Sequence, residues 1–165
     1  MNGGKILFNI FKKTRQFDLV APTDGKLIPI TTVSDSVFSQ EVLGVGYAFK
    51  PNEDNFYAPI SGVIESIFPT KHAVSLINDL GVEVLIHLGI NTVELNGAPF
   101  DMSIKIGQKV RAGEFLGKMD CRQVKTAGKD DTIIVVFTNK DQVSQFPERS
   151  EQMYHHGDIV GQVTL

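Results

Sequence analysis

Short apolar runs alternate with polar residues and are separated by glycine, proline and asparagine along most of the chain. Such period-two patterns between closely spaced turns are typical of β-strands. The β-branched run at residues 133–137 (IIVVF) predicts a strand buried on both faces. Residues 157–163 predict a final short strand, and residues 141–146 predict no more than a turn. The pattern predicts an all-β antiparallel sandwich or barrel of short strands with little helix.

Two segments of the chain repeat one arrangement, in which Ala-Pro is followed by two residues, a glycine and a strand-like stretch. They begin at Ala21 and Ala58, and their glycines are Gly25 and Gly62. Proline suits a position that donates no ladder hydrogen bond, and glycine tolerates a positive φ. The repeat therefore predicts two similar turns, each leading into a strand.

Residues 1–17 differ from the rest and are interpreted as a basic amphipathic tail, whereas residues 18–165 form a single domain. Helical spacing puts four apolar residues on one side of the tail: Ile6, Leu7, Ile10 and Phe11. Basic charge comes from Lys5, Lys12, Lys13 and Arg15. Two interpretations stay open for the tail, a weak contact with an anionic membrane surface and a frayed end or linker.

Composition narrows the class of protein. The 165 residues are 42% hydrophobic and 21% charged, which suits one soluble globular domain. A net charge of −3 gives no sign of nucleic-acid binding. A single cysteine, Cys121, excludes an intramolecular disulfide and favours a reducing, cytoplasmic compartment. No apolar run reaches the roughly 20 residues of a membrane helix.

The most informative stretch is a predicted β-hairpin that carries two histidines, His72 and His87. Turn residues at 78–81 (NDLG) separate two strand-like runs. A turn centred between Asp79 and Leu80 makes the two histidines direct cross-strand partners, with Cβ atoms about 4.5–5.5 Å apart. The same register pairs Val74 with Leu85 and Ile77 with Val82. A slip of one residue would send the histidines to opposite faces, so this interpretation depends on the register.

Three roles are open for this histidine pair. The pair could be structural, or it could bind a metal, although zinc sites usually need three or four protein ligands. The sequence offers no third metal ligand at a spacing typical of zinc sites. His155 and His156 are adjacent and are interpreted as surface residues. An His-x-His ligand pair would need a histidine two positions before His87, where the residue is Leu85. Alternatively, one neutral imidazole attacks phosphorus while the other donates a hydrogen bond to a phosphoryl oxygen. Apolar neighbours would then protect a phosphohistidine from water.

The two histidine segments resemble a known family. Residues 68–75 (FPTKHAVS) and 83–97 (EVLIHLGINTVELNG) are similar to the glucose-type enzyme IIA domain of the bacterial phosphoenolpyruvate:sugar phosphotransferase system. The resemblance continues at residues 20–25, 35–39, 57–62 and 107–110, and it covers roughly residues 18–165. It implies an antiparallel β-sandwich or barrel that acts as a phosphotransferase component through a phosphohistidine.

The resemblance also implies roles for individual residues. His87 would accept the phosphoryl group on Nε2 from the histidine-containing phosphocarrier protein and pass it to a cysteine of the enzyme IIB domain of a sugar permease. His72 would hydrogen-bond the phosphoryl group, and Thr70 would support the pair. Cys121 does not match the enzyme IIB cysteine loop and is interpreted as an ordinary free thiol.

Partner docking is implied for a further group of residues: Phe38, Phe68, Asp35 and Val93. The implied action needs no organic cofactor or metal, although a zinc ion shared by the two histidines and a partner's carboxylate would suit an adaptor. Members of the family can also regulate enzymes and transporters. The sequence departs from the family at Asn91 and Val45, where acidic residues are common, which bears on docking more than on chemistry. We expect a cytoplasmic domain, peripheral to the inner membrane face if the tail binds lipid.

Overall fold

The computed structural model describes residues 15–147 and 150–165, which form thirteen β-strands and two short α-helices. The strands are β1 (Gln16–Val20), β2 (Gly25–Pro29), β3 (Val45–Pro51), β4 (Asn55–Tyr57), β5 (Gly62–Ile67), β6 (Ala73–Ile77), β7 (Glu83–Ile90), β8 (Phe100–Met102), β9 (Lys109–Val110), β10 (Phe115–Met119), β11 (Asp130–Phe137), β12 (Gln152–Tyr154) and β13 (Ile159–Thr164). The helices are α1 (Ser36–Ser39) and α2 (Cys121–Thr126), and 3-10 helices cover Ile30–Thr32, Thr92–Leu95 and Lys140–Gln142. The all-β prediction is confirmed.

Every strand pairing is antiparallel. The largest sheet has eight strands in the order β12-β2-β3-β11-β7-β6-β5-β9, and β4-β10-β8 and β1-β13 form two smaller sheets. The run predicted to be buried on both faces forms the C-terminal part of β11, where every residue from 133 to 137 is at most 1% exposed. It lies between β3 and β7, so the middle of the large sheet is the most protected part of the fold.

Alternation along β11 divides the core between the two faces of the large sheet. Ile133, Val135 and Phe137 face the two larger apolar clusters, whereas Ile134 and Val136 join a smaller cluster that includes Phe38 of α1. Directly paired residues on neighbouring strands share a face of the sheet. The register of the sheet therefore determines which strand residues lie beneath α1.

One row of paired residues runs across the sheet on the face below α1. Ile28 pairs with Ala48, Ala48 with Ile134, Ile134 with His87, and His87 with Ala73. His87 is thus a member of an otherwise apolar row, and its direct neighbours in that row are Ile134 and Ala73. The sheet supplies a rigid, closely packed support for one imidazole.

The hairpin has a register that differs by one residue from the prediction. Ala73, not His72, pairs with His87, and Val74 pairs with Ile86. The turn is one residue longer than predicted because the backbone N–H of Asn78 bonds the carbonyl of Val82 at 3.0 Å. The Asn78 side chain also accepts the Leu80 and Val82 N–H groups. The asparagine therefore closes a five-residue loop, and the predicted pairings were wrong.

The two histidines nevertheless meet, because His72 lies outside the regular strand. A turn across Phe68 and Lys71 precedes it, with the Lys71 N–H bonded to the Phe68 carbonyl at 2.7 Å and Lys71 in the left-handed region at φ 56°. The alternation of faces applies only inside β6, which starts at Ala73. The irregular backbone therefore returns the His72 ring to the face of His87.

The repeated Ala-Pro segments do lead into strands, since Gly25 opens β2 and Gly62 opens β5. Neither glycine has the positive φ that the sequence suggested. Each is instead required by close backbone approach: a Cβ atom would lie 2.2 Å from the Lys50 carbonyl oxygen at Gly25, and 2.5 Å from the Ile77 carbonyl oxygen at Gly62.

Most of the predicted tail lies outside the described residues, so the membrane-contact hypothesis stays a prediction. The first strand begins at Gln16, and Phe17 packs against the apolar cluster that contains Val135 and Phe137. Among the described residues, no helix is long and apolar enough to cross a membrane.

Close packing between β3 and β11 predicts that Gly46→Ala destabilises the fold. A Cβ atom at Gly46 would lie 2.0 Å from the Val135 carbonyl oxygen, which is backbone and must move. We expect the free energy of unfolding to fall by about 2–3 kcal/mol, measured by urea denaturation. Gly128→Ala, where φ is +75° but no atom lies within 4 Å, is the matched control and should cost about 1 kcal/mol. Equal losses for the two variants would contradict the packing argument.

Candidate phosphoryl-transfer site

Two imidazole rings form the centre of the site. The ring centroids of His72 and His87 are 5.2 Å apart, and the ring planes cross at 75°. Each ring also has an aromatic neighbour: Phe38 lies 4.9 Å from His87, and Phe68 lies 5.4 Å from His72. His72 is nearly buried and His87 is half-buried, so the pair borders the surface within apolar surroundings.

The tautomer of His87 follows from one hydrogen bond. His87 Nδ1 lies 2.7 Å from the carbonyl oxygen of Gly89, and a carbonyl oxygen can only accept. Nδ1 therefore carries the proton and donates it, which leaves the lone pair of the neutral ring on Nε2. A neutral Nε2 with a free lone pair is the form of histidine that acts as a nucleophile.

A local irregularity of the sheet creates this acceptor. Between Leu88 and Ile90, the single residue Gly89 faces two residues of β11, which is a β-bulge. Gly89 has φ +76°, and a Cβ atom there would lie 2.4 Å from Thr92 Cγ2 and 2.8 Å from the Asp130 carbonyl oxygen. Both the space and the conformation require glycine, and the bulge turns its carbonyl back towards the preceding histidine.

His72 is held by the residue two positions before it. Thr70 Oγ1 lies 2.5 Å from His72 Nδ1. When the hydroxyl donates to Nδ1, the proton of the neutral ring is on Nε2, which then can donate to a bound oxygen. The backbone carbonyl of His72 also accepts the Leu88 N–H at 2.7 Å, which links His72 to β7. The arrangement supplies one nucleophilic nitrogen and one donor nitrogen on neighbouring rings.

Desolvation is the main electrostatic effect at both rings. Burial lowers the pKa of His72 below its ordinary value. Burial is also the largest influence on His87 and lowers its pKa. The Gly89 carbonyl and the Asp35 carboxylate act in the opposite direction, whereas the charge of protonated His72 lowers the pKa further. Both rings are therefore neutral near pH 7, since their ordinary pKa is about 6.5.

Asp35 does more than supply charge. Its side chain caps α1 by accepting the N–H groups of Val37 at 2.8 Å and Phe38 at 3.4 Å. Aspartate is a favoured N-cap because it satisfies amide donors that have no partner within the helix. The cap fixes the start of this one-turn helix, and thereby the position of Phe38 above His87.

The three apolar docking residues named from the sequence fall into two groups, and the fourth docking residue, Asp35, caps α1. Phe68 and Val93 are 39% and 46% exposed, as a docking contact would be, whereas Phe38 is 6% exposed and belongs to the apolar cluster beneath α1. Exposed apolar residues that sequence reasoning missed lie on and just after α1: Val37, Val42 and Leu43. The signal available for them was an N-cap aspartate followed by a short apolar run.

Comparisons with known proteins identify the family of this chain. A profile of the family described as phosphoenolpyruvate-dependent sugar phosphotransferase system, EIIA 1, matches residues 17–143. The chain belongs to this family. It is similar to the PTS system glucose-specific EIICBA component of Streptococcus pneumoniae, with 40% identity over 126 residues, or 76% of this chain. The chain spans only 17% of that relative's length.

A solved structure gives the same answer for the fold. The chain is similar to glucose permease IIA from Mycoplasma capricolum, with a TM-score of 0.82 and 34% identity over 90% of this chain and 96% of that one. The EIIA family is a component of a sugar phosphotransferase system, so the domain is a phosphotransferase component. The family resemblance identified from the two histidine segments is confirmed.

The single cysteine of this EIIA domain, Cys121, is buried and is expected to be unreactive. Cys121 is 8% exposed and unpaired with any other cysteine. Burial, followed by the neighbouring carboxylates of Asp131 and Asp54, raises the pKa of its thiol to about 12. A thiol rather than a thiolate is a poor nucleophile.

Titration of His87 provides a test of the electrostatics. In His72→Gln, we expect the pKa of His87 to rise, because a neighbouring positive charge is removed. In Asp35→Asn, which keeps a favoured N-cap residue, we expect that pKa to fall. Two-bond ¹H–¹⁵N NMR spectra recorded across pH 5–8 measure both shifts and should show the neutral ring protonated on Nδ1. Shifts of the opposite sign, or a proton on Nε2, would contradict this description.

Proposed function

We propose that this EIIA domain carries a phosphoryl group on Nε2 of His87. It receives the group from the histidine-containing phosphocarrier protein and passes it to the cysteine of the enzyme IIB domain of a sugar permease for glucose-type sugars. The observation that carries the proposal is the bond from His87 Nδ1–H to the Gly89 carbonyl, which leaves Nε2 nucleophilic beside His72. The glucose-specific names of the two relatives support the choice of sugar class.

Acceptance of the phosphoryl group follows from this tautomer. The lone pair of Nε2 forms a bond to phosphorus while the nitrogen–phosphorus bond of the donor's phosphohistidine breaks and its electron pair returns to the donor ring. The ring of His87 then has both nitrogens substituted and carries positive charge. The Gly89 carbonyl and the Asp35 carboxylate stabilise this charge. This transfer requires no metal ion, because these groups supply the alignment and the charge stabilisation that phosphoryl transfer needs.

His72 acts on the group being transferred. Its Nε2–H donates a hydrogen bond to a phosphoryl oxygen, and Thr70 keeps that proton on Nε2 by donating to Nδ1. In the second transfer, the thiolate of the enzyme IIB cysteine forms a bond to phosphorus as the bond to His87 Nε2 breaks. Neutral imidazole is the leaving group, with its proton still on Nδ1.

Both partners dock on one surface, which we call the docking surface. Its apolar members are Val37, Val42, Leu43, Phe68 and Val93, all more than a third exposed. Asp35 adds negative charge for partners that carry arginine. Phe38 packs against the ring of His87 rather than contacting partners, in view of its burial. Asn91, which adopts a left-handed conformation, and Val45 replace acidic residues and weaken the electrostatic part of docking.

A second role as a regulator is favoured by the same surface. Phosphorylation of His87 places a phosphoryl group that carries about two negative charges beside exposed apolar residues. A target enzyme or transporter would therefore bind the unphosphorylated domain and leave the phosphorylated one. A zinc ion held by His72, His87 and a target's carboxylate would strengthen such a complex. We place both roles in the cytoplasm, with the N-terminal tail as a further, weak contact to anionic membrane.

Replacement of His87 tests the carrier role. We expect His87→Ala to lose all phosphoryl acceptance. No other described histidine both donates to the Gly89 carbonyl and lies beside the His72 ring. Radiolabelled phosphoenolpyruvate with enzyme I and the phosphocarrier protein measures this, and the label on the wild type should be acid-labile and alkali-stable. His155→Ala removes an exposed histidine elsewhere and should label normally. A labelled His87→Ala would sink the assignment.

Replacement of His72 separates acceptance from hand-over. We expect His72→Gln to accept the phosphoryl group from the phosphocarrier protein but to transfer it to enzyme IIB roughly 10²-fold or more slowly, since a hydrogen bond to the transition state is lost. Rapid-quench measurement of transfer from pre-labelled protein gives the rate. Wild-type hand-over by this variant would refute the donor role of His72 while leaving His87 as the carrier.

A further inference from the structure

A second group of potential ligands lies on three turns that do not carry the histidine pair. Asp24 is in the turn between β1 and β2, Glu53 is in the turn between β3 and β4, and His156 is in the turn between β12 and β13. These residues are far apart in the sequence, and their side chains are partly exposed. The fold therefore gathers two carboxylates and an imidazole at one place on its surface.

The distances in this three-turn cluster suit a metal ion. His156 Nδ1 lies 2.8 Å from Asp24 Oδ1 and 3.4 Å from Glu53 Oε1, and one ligand atom from each residue lies within 4.8 Å of the others. Zinc forms bonds of about 2.0–2.2 Å to nitrogen and oxygen, which put neighbouring ligand atoms roughly 3.0–3.5 Å apart. Small adjustments of side chains would bring all three onto one ion.

The imidazole is held in place by contacts outside the cluster. The ring of His156 stacks on Tyr57, with centroids 3.9 Å apart and planes 6° from parallel. This stacking fixes the ring plane and directs Nδ1 at the two carboxylates. The backbone also participates: the His156 N–H bonds Asp24 Oδ1 at 2.7 Å, and the Asp24 N–H bonds Glu53 Oε1 at 3.0 Å. Ligands that are already oriented lose less entropy on binding.

An ordinary ion pair does not require this arrangement. A surface pair between one histidine and one carboxylate contributes little to stability, and here two carboxylates face the same ring nitrogen. Two negative charges beside one imidazole are the charge pattern that a divalent cation neutralises.

We propose that Asp24, Glu53 and His156 form a binding site for a first-row divalent transition-metal cation of the Zn²⁺ type. Histidine with two carboxylates favours such a cation over Ca²⁺ or Mg²⁺, which prefer oxygen ligands alone. The cation binds the lone pair of Nδ1, and the proton of the neutral ring is then on Nε2. Water completes the coordination, and the ion joins the β12–β13 turn to the ends of β2 and β3.

His155 serves as the matched control. It is the neighbouring histidine, but its Nδ1 lies 3.8 Å from the other oxygen of Asp24 and its side chain is 87% exposed. Because the phosphoryl-transfer histidines are themselves potential zinc ligands, the test uses the 165-residue chain with His72→Gln and His87→Gln in every variant. This background also makes the result independent of the proposed carrier function.

Zinc binding to this double variant is measured by equilibrium dialysis and by isothermal titration calorimetry near pH 7.5. We expect one Zn²⁺ per chain, with affinity lowered at least roughly 30-fold by a further His156→Asn and roughly 10-fold by Glu53→Gln, in line with the loss of one ligand of three. His155→Asn should lower it less than about 3-fold. Zinc should raise the Tm of the background protein and not that of its His156→Asn derivative.

Three results would overturn the proposal. The first is no zinc binding by the folded double variant, with circular dichroism confirming the fold. The second is unchanged zinc affinity in both His156→Asn and Glu53→Gln, which would put the ion elsewhere. The third is an equal loss of affinity in His155→Asn and His156→Asn, which would contradict the assigned ligands.

Discussion

The hydrogen bond from His87 Nδ1–H to the Gly89 carbonyl is the contact on which the site depends. It decides which nitrogen is free, and it exists only because a bulge turns a left-handed glycine back towards the histidine. A regular strand would direct that carbonyl to its neighbour in the ladder. The bulge interrupts the regular ladder, and it thereby fixes the proton of His87 on Nδ1. The proposed chemistry follows from the position of that proton.

The regular sheet and the irregular turn each position one of the two histidine rings. The row that contains Ile134 and His87 is anchored in the middle of the eight-stranded sheet. His72, by contrast, stands on a turn with Lys71 in the left-handed region. Loops placed on a rigid scaffold commonly carry functional residues. The sheet fixes the nucleophilic ring, and the turn brings the second ring beside it without following the strand alternation.

Sequence reasoning reached the all-β architecture, the buried central strand and the two histidines, because hydrophobic patterning and the motif around them are local signals. The register was wrong by one residue, since the side chain of Asn78 closes a longer loop than its turn propensity suggests. Helix α2 was missed because six residues, capped by Asp120, are too few to show helical periodicity. The three-turn cluster was also invisible, because adjacency of His155 and His156 says nothing about distant Asp24 and Glu53.

The burial of Cys121 bears on the proposed transfer of the phosphoryl group to a partner's cysteine. With a pKa of about 12, the thiol of Cys121 is ionised in only about one molecule in 10⁵ at pH 7, and thiol–disulfide exchange requires the thiolate. In the proposed hand-over, a nucleophilic partner cysteine therefore meets a domain with no competing sulfur to capture. Burial and the raised pKa of the thiol therefore both disfavour a mixed disulfide between Cys121 and the partner's cysteine.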